Sequence, residues 1–361
     1  MQKSSGMRIY MSDFYLGLDV GGTNLAAGVV NAEGNLLEKA VIPSGAGRSI
    51  EAIAEDMYQV SVKALKSNGL SFADVPYWGI GIPSNVDKET GLLIHANCFG
   101  WHKLPIYQYL KKYIDKPIYI ENDANCAVLG EARSGAGKGV DQLLMLTLGT
   151  GVGSGIILDG ELYTGHRGLG AELGHTKLNY QGRRCTCGQR GCLEAYASAT
   201  ALIGKTGRAL RQFPDSVLNE WCAREKGLTG KMIFEAAKEQ DAFANRMVTE
   251  YVQALAAGIA SFITIFRPEM IVLGGGIAGA GDYLVQMVEQ SVREQTYGAT
   301  EIGIPRIVCA KLGNDAGMIG AALLKNETGG IDQYENNRPK EESTLRQSTG
   351  RTDRVLPGAK G

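Results

Sequence analysis

The sequence predicts an α/β protein built by duplication, with two domains and a cleft between them. Three observations carry this. The 361 residues exceed the size at which one hydrophobic core stops growing, so the chain is expected to divide. A unit of strand, glycine turn and strand occurs twice, near 14–34 and again near 142–163. Around the two copies, helical periodicities alternate with short apolar runs, which is the mixed order of an α/β chain.

The first copy begins with the apolar strand Phe14-Tyr-Leu-Gly-Leu-Asp19 and the glycine turn Val20-Gly-Gly-Thr23. A second strand follows from Leu25 to Val30, and Ala32-Glu-Gly34 turns toward a third. The second copy repeats this grammar: a strand from Gln142 to Leu148, the turn Gly149-Thr-Gly-Val-Gly153, a strand from Ser154 to Leu158, and Asp159-Gly160 leading into Glu161-Leu-Tyr163. Phosphate loops of the Walker and Rossmann kinds run from a strand into a helix, whereas these run from strand to strand, so those two nucleotide folds are disfavoured.

Between the copies, Ile50 to Asn68 has helical spacing, with Ile53, Met57, Val60 and Leu65 on one face. Strands are expected at Tyr77–Ile82 and Ile118–Ile120, and helices at Ile106–Tyr113 and Ala124–Ser134. Later come a long apolar helix from Met247 to Phe266, a strand from Met270 to Leu273 ending in Gly274-Gly-Gly276, and a final helix from Ala316 to Lys325. The domains are expected to span 13–122, joined by a C-terminal helix at about 311–326, and 123–310. Residues 1–12 and 327–361 are expected to be disordered, the latter because a tail rich in Gly, Glu, Asn, Arg, Ser and Thr buries too little apolar surface to offset ordering.

Composition narrows the function classes. A formal net charge of −1 leaves no basic excess to hold a nucleic-acid backbone, so DNA is an unfavoured partner. We expect no stretch long and apolar enough to span a bilayer, and Met1 to Asp13 has no apolar core suited to a signal peptide, so a cytoplasmic location is expected. In a reducing compartment the seven cysteines read as buried thiols, metal ligands or nucleophiles and not as a disulfide framework.

The glycine turns are the first candidates for chemistry. Backbone N–H groups grip a phosphate only where no side chain blocks the approach, and Gly21, Gly22 and Thr23, followed by Asn24, supply such a turn with an added hydroxyl. Asp19, at the end of the preceding strand, is placed to hold Mg²⁺ through water. An ordinary hairpin would explain one such turn. The second, with Gly149, Thr150 and Gly151, suggests two loops facing one triphosphate across the cleft. Gly274, Gly275 and Gly276 follow an apolar strand, where adenosine can lie against bare backbone or where the chain simply passes into a helix. In Glu121-Asn-Asp-Ala-Asn125, Asp123 is either a helix N-cap or a general base at a strand's carboxyl end.

The strongest local signal is His175 with Cys185, Cys187 and Cys192, the last three inside Cys-Thr-Cys-Gly-Gln-Arg-Gly-Cys. Three thiols and an imidazole make the donor set of a closed tetrahedral zinc site, which would be structural because no position is left for water. The loop 175–192 would be the zinc loop. Cys98, Cys126, Cys222 and Cys309 are scattered and are expected to be buried. Glu172 and Glu194 flank the loop and read either as solvated surface carboxylates or as acceptors for sugar hydroxyls.

Taken together these motifs resemble the ROK (repressor, open reading frame, kinase) family, and within it the bacterial glucokinases. The resemblance runs from Asp19-Val-Gly-Gly-Thr23 through Gly81-Ile-Pro83, Glu121-Asn-Asp123, Leu148-Gly-Thr-Gly151, Gly170-Ala-Glu-Leu-Gly-His175 and the cysteine loop to Gly274-Gly-Gly276. It implies an actin-like, hexokinase-type ATPase fold and phosphoryl transfer from ATP to a hexose. Glucose is the first choice, with fructose, N-acetylmannosamine or N-acetylglucosamine behind it.

By that resemblance Asp123 is the catalytic base. Asn97, Asn122, Glu172, His175 and Glu194 bind the sugar, and Asp19 with the two Gly-Thr loops handles metal and phosphates. ATP, Mg²⁺ and a structural Zn²⁺ are the expected cofactors, and a homo-oligomer, dimer or tetramer, is the expected assembly. Two places depart from the family pattern near the sugar pocket: Ser84 stands where Gly often follows Gly-x-Pro, and 97–101 reads Asn-Cys-Phe-Gly-Trp. Repressors of the family carry a DNA-binding segment before the first glycine loop, and eighteen residues precede Asp19, so a repressor is not expected. An ATPase of another class on this fold would have no reason to combine Asp123 with the zinc loop.

Overall fold

The computed structural model describes residues 14–324, apart from Ala46 and Lys226. The expectations for 1–12 and 327–361, and for Lys325 of the final helix, lie outside the described residues; that helix ends at Ala322. The strands are β1 (Phe14–Val20), β2 (Asn24–Asn31), β3 (Leu36–Pro43), β4 (Trp78–Ile82), β5 (Leu93–Ala96), β6 (Trp101–Leu104) and β7 (Ile118–Asn122), then β8 (Leu143–Leu148), β9 (Val152–Leu158), β10 (Glu161–Leu162), β11 (Met270–Gly274) and β12 (Arg306–Cys309). The helices are α1 (Ile50–Ser67), α2 (Ile106–Leu110), α3 (Asp123–Ser134), α4 (Glu194–Ala197), α5 (Ala199–Leu210) and α6 (Leu218–Arg224), then α7 (Gly230–Lys238), α8 (Ala242–Phe266), α9 (Asp282–Gln295), α10 (Ala299–Ile302) and α11 (Ala316–Ala322).

The duplication is explicit in the sheets. One has the order β3-β2-β1-β4-β7 and the other β10-β9-β8-β11-β12. In each, a meander of three antiparallel strands continues into two parallel ones. The inner parallel strands are apolar throughout, as strands covered on both faces must be: all five residues of β4 and of β11 are buried. A small hairpin of β5 and β6 stands apart from both sheets.

Helix α1 begins at a Ser49 cap whose side chain accepts the N–H of Ala52, and its buried face includes the expected Ile53, Met57, Val60 and Leu65. Two further helices, α3 and α11, join the halves. On α3, Cys126 and Leu129 pack with Tyr77, Tyr119 and Ile319, whereas Ala127, Val128 and Ala132 pack with Leu143, Met145 and Val272 of the second sheet. The two helices cross almost backbone to backbone at Gly130 and Gly320. A Cβ on Gly320 would stand 1.7 Å from Cys126 O, so no other residue fits there. Glu131, fully buried below this crossing, accepts Leu312 N–H at 2.7 Å, Lys311 N–H at 3.1 Å and Ala136 N–H at 2.7 Å. It thereby ties α3 to the strand-to-helix connection that leads into α11.

Several expectations need correction. Helix α8 starts five residues earlier than its apolar pattern suggested, at Ala242, because Asp241 caps it by accepting Ala244 N–H. With 25 residues it is long and apolar enough to cross a membrane, contrary to the expectation of no such stretch. It is also a core helix: Phe243, Met247, Tyr251, Leu255, Ile259 and Phe262 are buried in the second half. Helix α2 stops at Leu110, three residues short of the expected Tyr113. Of the four scattered cysteines only Cys126 is buried; Cys98 is exposed, and Cys222 and Cys309 are half-buried.

Candidate active site

The strand ends of the first sheet assemble the reactive carboxylates. Register pairs Asp19 of β1 with Gly81 of β4, and Gly81 with Glu121 of β7, so Asp19 and Glu121 share one row across a glycine. Asp123 follows as the first residue of α3. The helix is capped by Asn122 and not by Asp123: Asn122 Oδ1 accepts the N–H groups of Ala124 at 2.9 Å and Asn125 at 3.1 Å. Asp123 Oδ1 accepts the adjacent Ala124 N–H at 2.9 Å, and the carboxylate also accepts from the Asn122 side chain.

These carboxylates feel one another. Burial, then the charge of Asp123, then that of Asp315, lifts Asp19 to about 7. Burial also raises Asp123, with hydrogen bonding from Ala124 opposing and the charge of Glu172 adding to the rise. Asp19 thus lies within electrostatic reach of Asp123 and Asp315, and Asp123 within reach of Glu172, although all four are far apart in sequence. A cluster of negative groups held in low dielectric fits a divalent cation, and Asp19 is the residue that would hold Mg²⁺ beside the phosphates.

The two glycine turns are anchored differently. In the first, Gly21 N–H donates to Asn24 O at 2.9 Å, and Ser44 donates through N–H to Thr23 O and through Oγ to Gly22 O. Gly22, Thr23 and Asn24 are left exposed. The second turn rests on the start of α5, where Ala199 N–H donates to Gly149 O at 2.8 Å and Thr200 Oγ1 to Thr150 O at 2.8 Å. Gly275, with φ of 80°, lies against Leu148, and a Cβ there would stand 2.6 Å from Leu148 O. Gly274–Gly276 is therefore immediately beside the second turn. A cavity of about 100 Å³ opens from Gly276 toward Gly230, Lys231, Phe234 and Lys238 of α7.

On the other side of the reactive group, Asn85 Nδ2 donates to Glu172 Oε1 at 2.7 Å. Ser84, one of the departures from the family pattern, is buried; its Oγ donates to Asn85 O at 3.1 Å and accepts His95 N–H at 3.3 Å. The β5–β6 hairpin carries Asn97, whose Oδ1 is bonded to His95 Nε2. It brings Cys98 against Gly22, where an added Cβ would stand 3.1 Å from Cys98 Cβ. Partial desolvation, aided by the charge of Asp123, raises the Cys98 thiol even though the residue is exposed overall, so the hairpin tip lies near Asp123.

In the cysteine loop, the ligand atoms of His175, Cys185, Cys187 and Cys192 all lie within 4.8 Å of one another. Cys187 Sγ is 3.7 Å from Cys192 Sγ, and Cys185 Sγ is 3.9 Å from His175 Nδ1. Four ligands on a tetrahedron with Zn–S of about 2.3 Å stand about 3.8 Å apart. The donors therefore fit zinc in both chemistry and spacing, and Nδ1 is the imidazole nitrogen that faces the thiols. Burial lifts Cys185 to about 12, a cost that a bound cation would remove. Glu194 links this loop to the second glycine turn: Oε1 accepts Thr186 Oγ1–H at 2.8 Å and the Cys185 thiol at 3.2 Å, while Oε2 accepts Val152 N–H at 3.0 Å.

The sequence profile of the ROK family matches residues 15–328. The chain belongs to the ROK family. It is similar to the glucokinase of Thermotoga maritima, with 37% identity over 321 residues, covering 87% of this chain and 98% of that one. Similarity to the glucokinase of Halalkalibacterium halodurans is 34% over 336 residues, covering 92% and 100%. Among solved structures, a ROK family glucokinase from Streptomyces griseus in complex with glucose and AMPPNP superposes with a TM-score of 0.76 at 32% identity, covering 86% of this chain and 98% of that chain.

For this ROK family member, Asp19, Asp123 and Glu172 fall in one electrostatically connected group, and Asn97 borders it through Cys98. Glu194 and His175 share the cysteine loop. Sequence reasoning missed Asn85, two residues beyond the quoted Gly81-Ile-Pro83, and α7, whose face toward Gly276 carries no motif.

Proposed function

We propose that the chain is an ATP-dependent hexose kinase that transfers the γ-phosphoryl group of ATP to glucose, giving glucose 6-phosphate and ADP. The observation that carries this reading is that Asp19 and Asp123, at strand ends of the first sheet, come within electrostatic reach of each other, and Asp123 of Glu172 from the connection after β10, beside two glycine turns. One carboxylate serves metal and phosphate, one accepts a proton, and one receives hydroxyl donors. N-acetylglucosamine, N-acetylmannosamine and fructose remain the alternative sugars.

In this reading Asp123 accepts the proton of the attacking sugar hydroxyl, for which a raised basicity is suited. Asn122 caps α3 through its Oδ1 and its side chain also donates to the Asp123 carboxylate, so it stands beside the base with amide N–H left for a hydroxyl. Glu172 is held by Asn85 with one oxygen, and the other accepts from the sugar. Asn97, His175 and Glu194 complete the polar lining. Gly21, Gly22, Thr23 and Asn24 face the phosphates from one half and Gly149, Thr150 and Gly151 from the other, with Gly274, Gly275 and Gly276 under the nucleoside. Mg²⁺ beside Asp19 would offset charge on the transferring phosphoryl group.

Zinc held by His175, Cys185, Cys187 and Cys192 would supply rigidity. With Cys185 as thiolate, its S–H would no longer donate to Glu194 Oε1, which would leave that oxygen with the Thr186 hydroxyl as donor and room to accept a sugar hydroxyl as well. The units 13–122 with 311–326 and 123–310 would close on the sugar about the α3–α11 crossing, expelling water before transfer.

The test is a coupled assay across a panel of hexoses with ATP or polyphosphate as donor. Glucose with ATP is expected to give the highest kcat/KM. ADP release that does not depend on any sugar would contradict the reading.

A further inference from the structure

The segment from Asn85 to Lys88 leaves the first sheet after β4 and reaches the second half. It is stiffened as a turn: Asp87 N–H donates to Leu92 O at 3.0 Å and Gly91 N–H to Asp87 O at 2.7 Å. Its partners lie in 164–172, the connection that follows β10. Arg167 grips buried Asp87 through two N–H groups and pairs with Glu89 at 2.9 Å. Burial works against the Asp87 carboxylate, yet hydrogen bonds from Arg167, Thr90 and Glu89 hold it at about 2. Lys88 N–H donates to Arg167 O at 2.9 Å, and Lys88 Nζ donates to Thr164 Oγ1 at 3.0 Å.

The same ammonium group is 3.0 Å from Glu121 Oε2. The Glu121 side chain is only 2% exposed, and its other oxygen accepts Asn122 N–H at 2.9 Å and Asn125 Nδ2–H at 3.0 Å. Those two residues bracket Asp123. A continuous polar chain therefore runs from Thr164 of the second half, through Lys88 and Glu121, to both flanks of the base. The lysine stem passes close over Gly168, where φ is 75° and a Cβ would stand 2.9 Å from Lys88 Cε and from Val86 O. A buried carboxylate needs a fixed positive partner, and Lys88 supplies it while held by Thr164 and packed over Gly168.

We propose that Lys88 is a positioning residue that makes the aim of Asp123 depend on docking of 164–168 against the first half. When the halves separate, Lys88 loses Thr164 and Arg167 O, and Glu121 loses a rigidly held counter-charge just where it orients Asn122 and Asn125. Alignment of the base is then completed by closure, which limits phosphoryl transfer to water. This inference rests on the kinase reading above.

The experiment is steady-state kinetics of the full chain as wild type, Lys88→Met, Lys88→Arg, Thr164→Val and the Lys88→Met/Thr164→Val pair, with thermal unfolding of each. Lys88→Met is expected to lower kcat about 100-fold, the scale of an ~1 Å misalignment, while the KM values for glucose and MgATP move less than about 3-fold. Lys88→Arg is expected to recover most of kcat. Thr164→Val, which keeps the ion pair, is expected to lower kcat partway, and the double variant to lie no lower than Lys88→Met, because the two act through one chain.

A Lys88→Met enzyme with wild-type kcat, a loss confined to KM, or no recovery in Lys88→Arg overturns the assignment. If Lys88→Met does not fold, a folded Thr164→Val enzyme with unchanged kcat overturns it equally. A wild type that forms no ADP with any hexose overturns the kinase reading itself, whereas a normally active wild type beside an equally active Lys88→Met overturns the Lys88 assignment alone.

Discussion

Asp123 weighs on Asp19: its charge, second to burial and ahead of Asp315, helps raise Asp19 from 3.8 to about 7. The unfolded chain ionises Asp19 near its ordinary value, whereas the folded chain keeps the proton until about pH 7. The group therefore favours the folded state at low pH, and that contribution is lost as pH rises from about 4 through 7. Asp19→Asn removes this loss. Without Mg²⁺ or nucleotide, the variant is expected to have a higher Tm than wild type at pH 8 and a nearly equal Tm at pH 4. Equal stability at pH 8 would show that Asp19 is not disfavoured as an anion.

Asn85→Ala separates sugar recognition from catalysis. It releases Glu172 Oε1 from its 2.7 Å donor while leaving the Lys88–Glu121 pair in place. The glucose KM is expected to rise about 10-fold, the lower end of what such supporting hydrogen bonds contribute, with kcat changing much less. A fall in kcat at constant KM would place Asn85 in the alignment of the base instead.

Ala171 adopts φ of 65° directly before Glu172, a conformation disfavoured by its Cβ. Ala171→Gly removes roughly 1–2 kcal/mol of local strain and gives back somewhat less in unfolded-state entropy, for a net gain of about 0.5–1 kcal/mol. Denaturant unfolding measures it. A destabilised variant would mean that the methyl group contributes packing that outweighs the strain.

Cys187→Ser is expected to abolish binding of one zinc per chain and to raise the glucose KM ~10–100-fold. Because Glu194 also accepts Val152 N–H beside the second glycine turn, the MgATP KM is expected to rise as well, by a smaller factor. Elemental analysis with both KM values is the check. A zinc-free wild type with full activity would remove the metal from the account, and equal rises would indicate general loosening.

The duplicated sheets were legible because glycine turns and apolar strands are local signals, and both β1–β2 and β8–β9 appear where the sequence placed them. The zinc donors were legible because their spacing is local as well. What could not be read was set by contacts between distant segments. Asp123 gave two local readings, N-cap or base, and the cap made by Asn122 removes the first of them. Asn85 and Lys88 look like surface residues of a turn until 164–172 is brought against them. The side of α7 that lines the cavity depends on where Gly276 comes to lie.

The central claim is that Asp123 removes the proton from a bound hexose hydroxyl, and kcat of Asp123→Asn tests it most directly, measured with glucose and saturating MgATP and accompanied by nucleotide binding. The account predicts a kcat lower by about 10²–10⁴-fold with nucleotide still bound. Burial raises Asp123, so wild-type kcat is expected to fall on acidification at a pH above the ordinary carboxylate range, as the base takes up its proton. An Asp123→Asn enzyme that keeps more than about a tenth of wild-type kcat, against that general-base contribution, would contradict the claim.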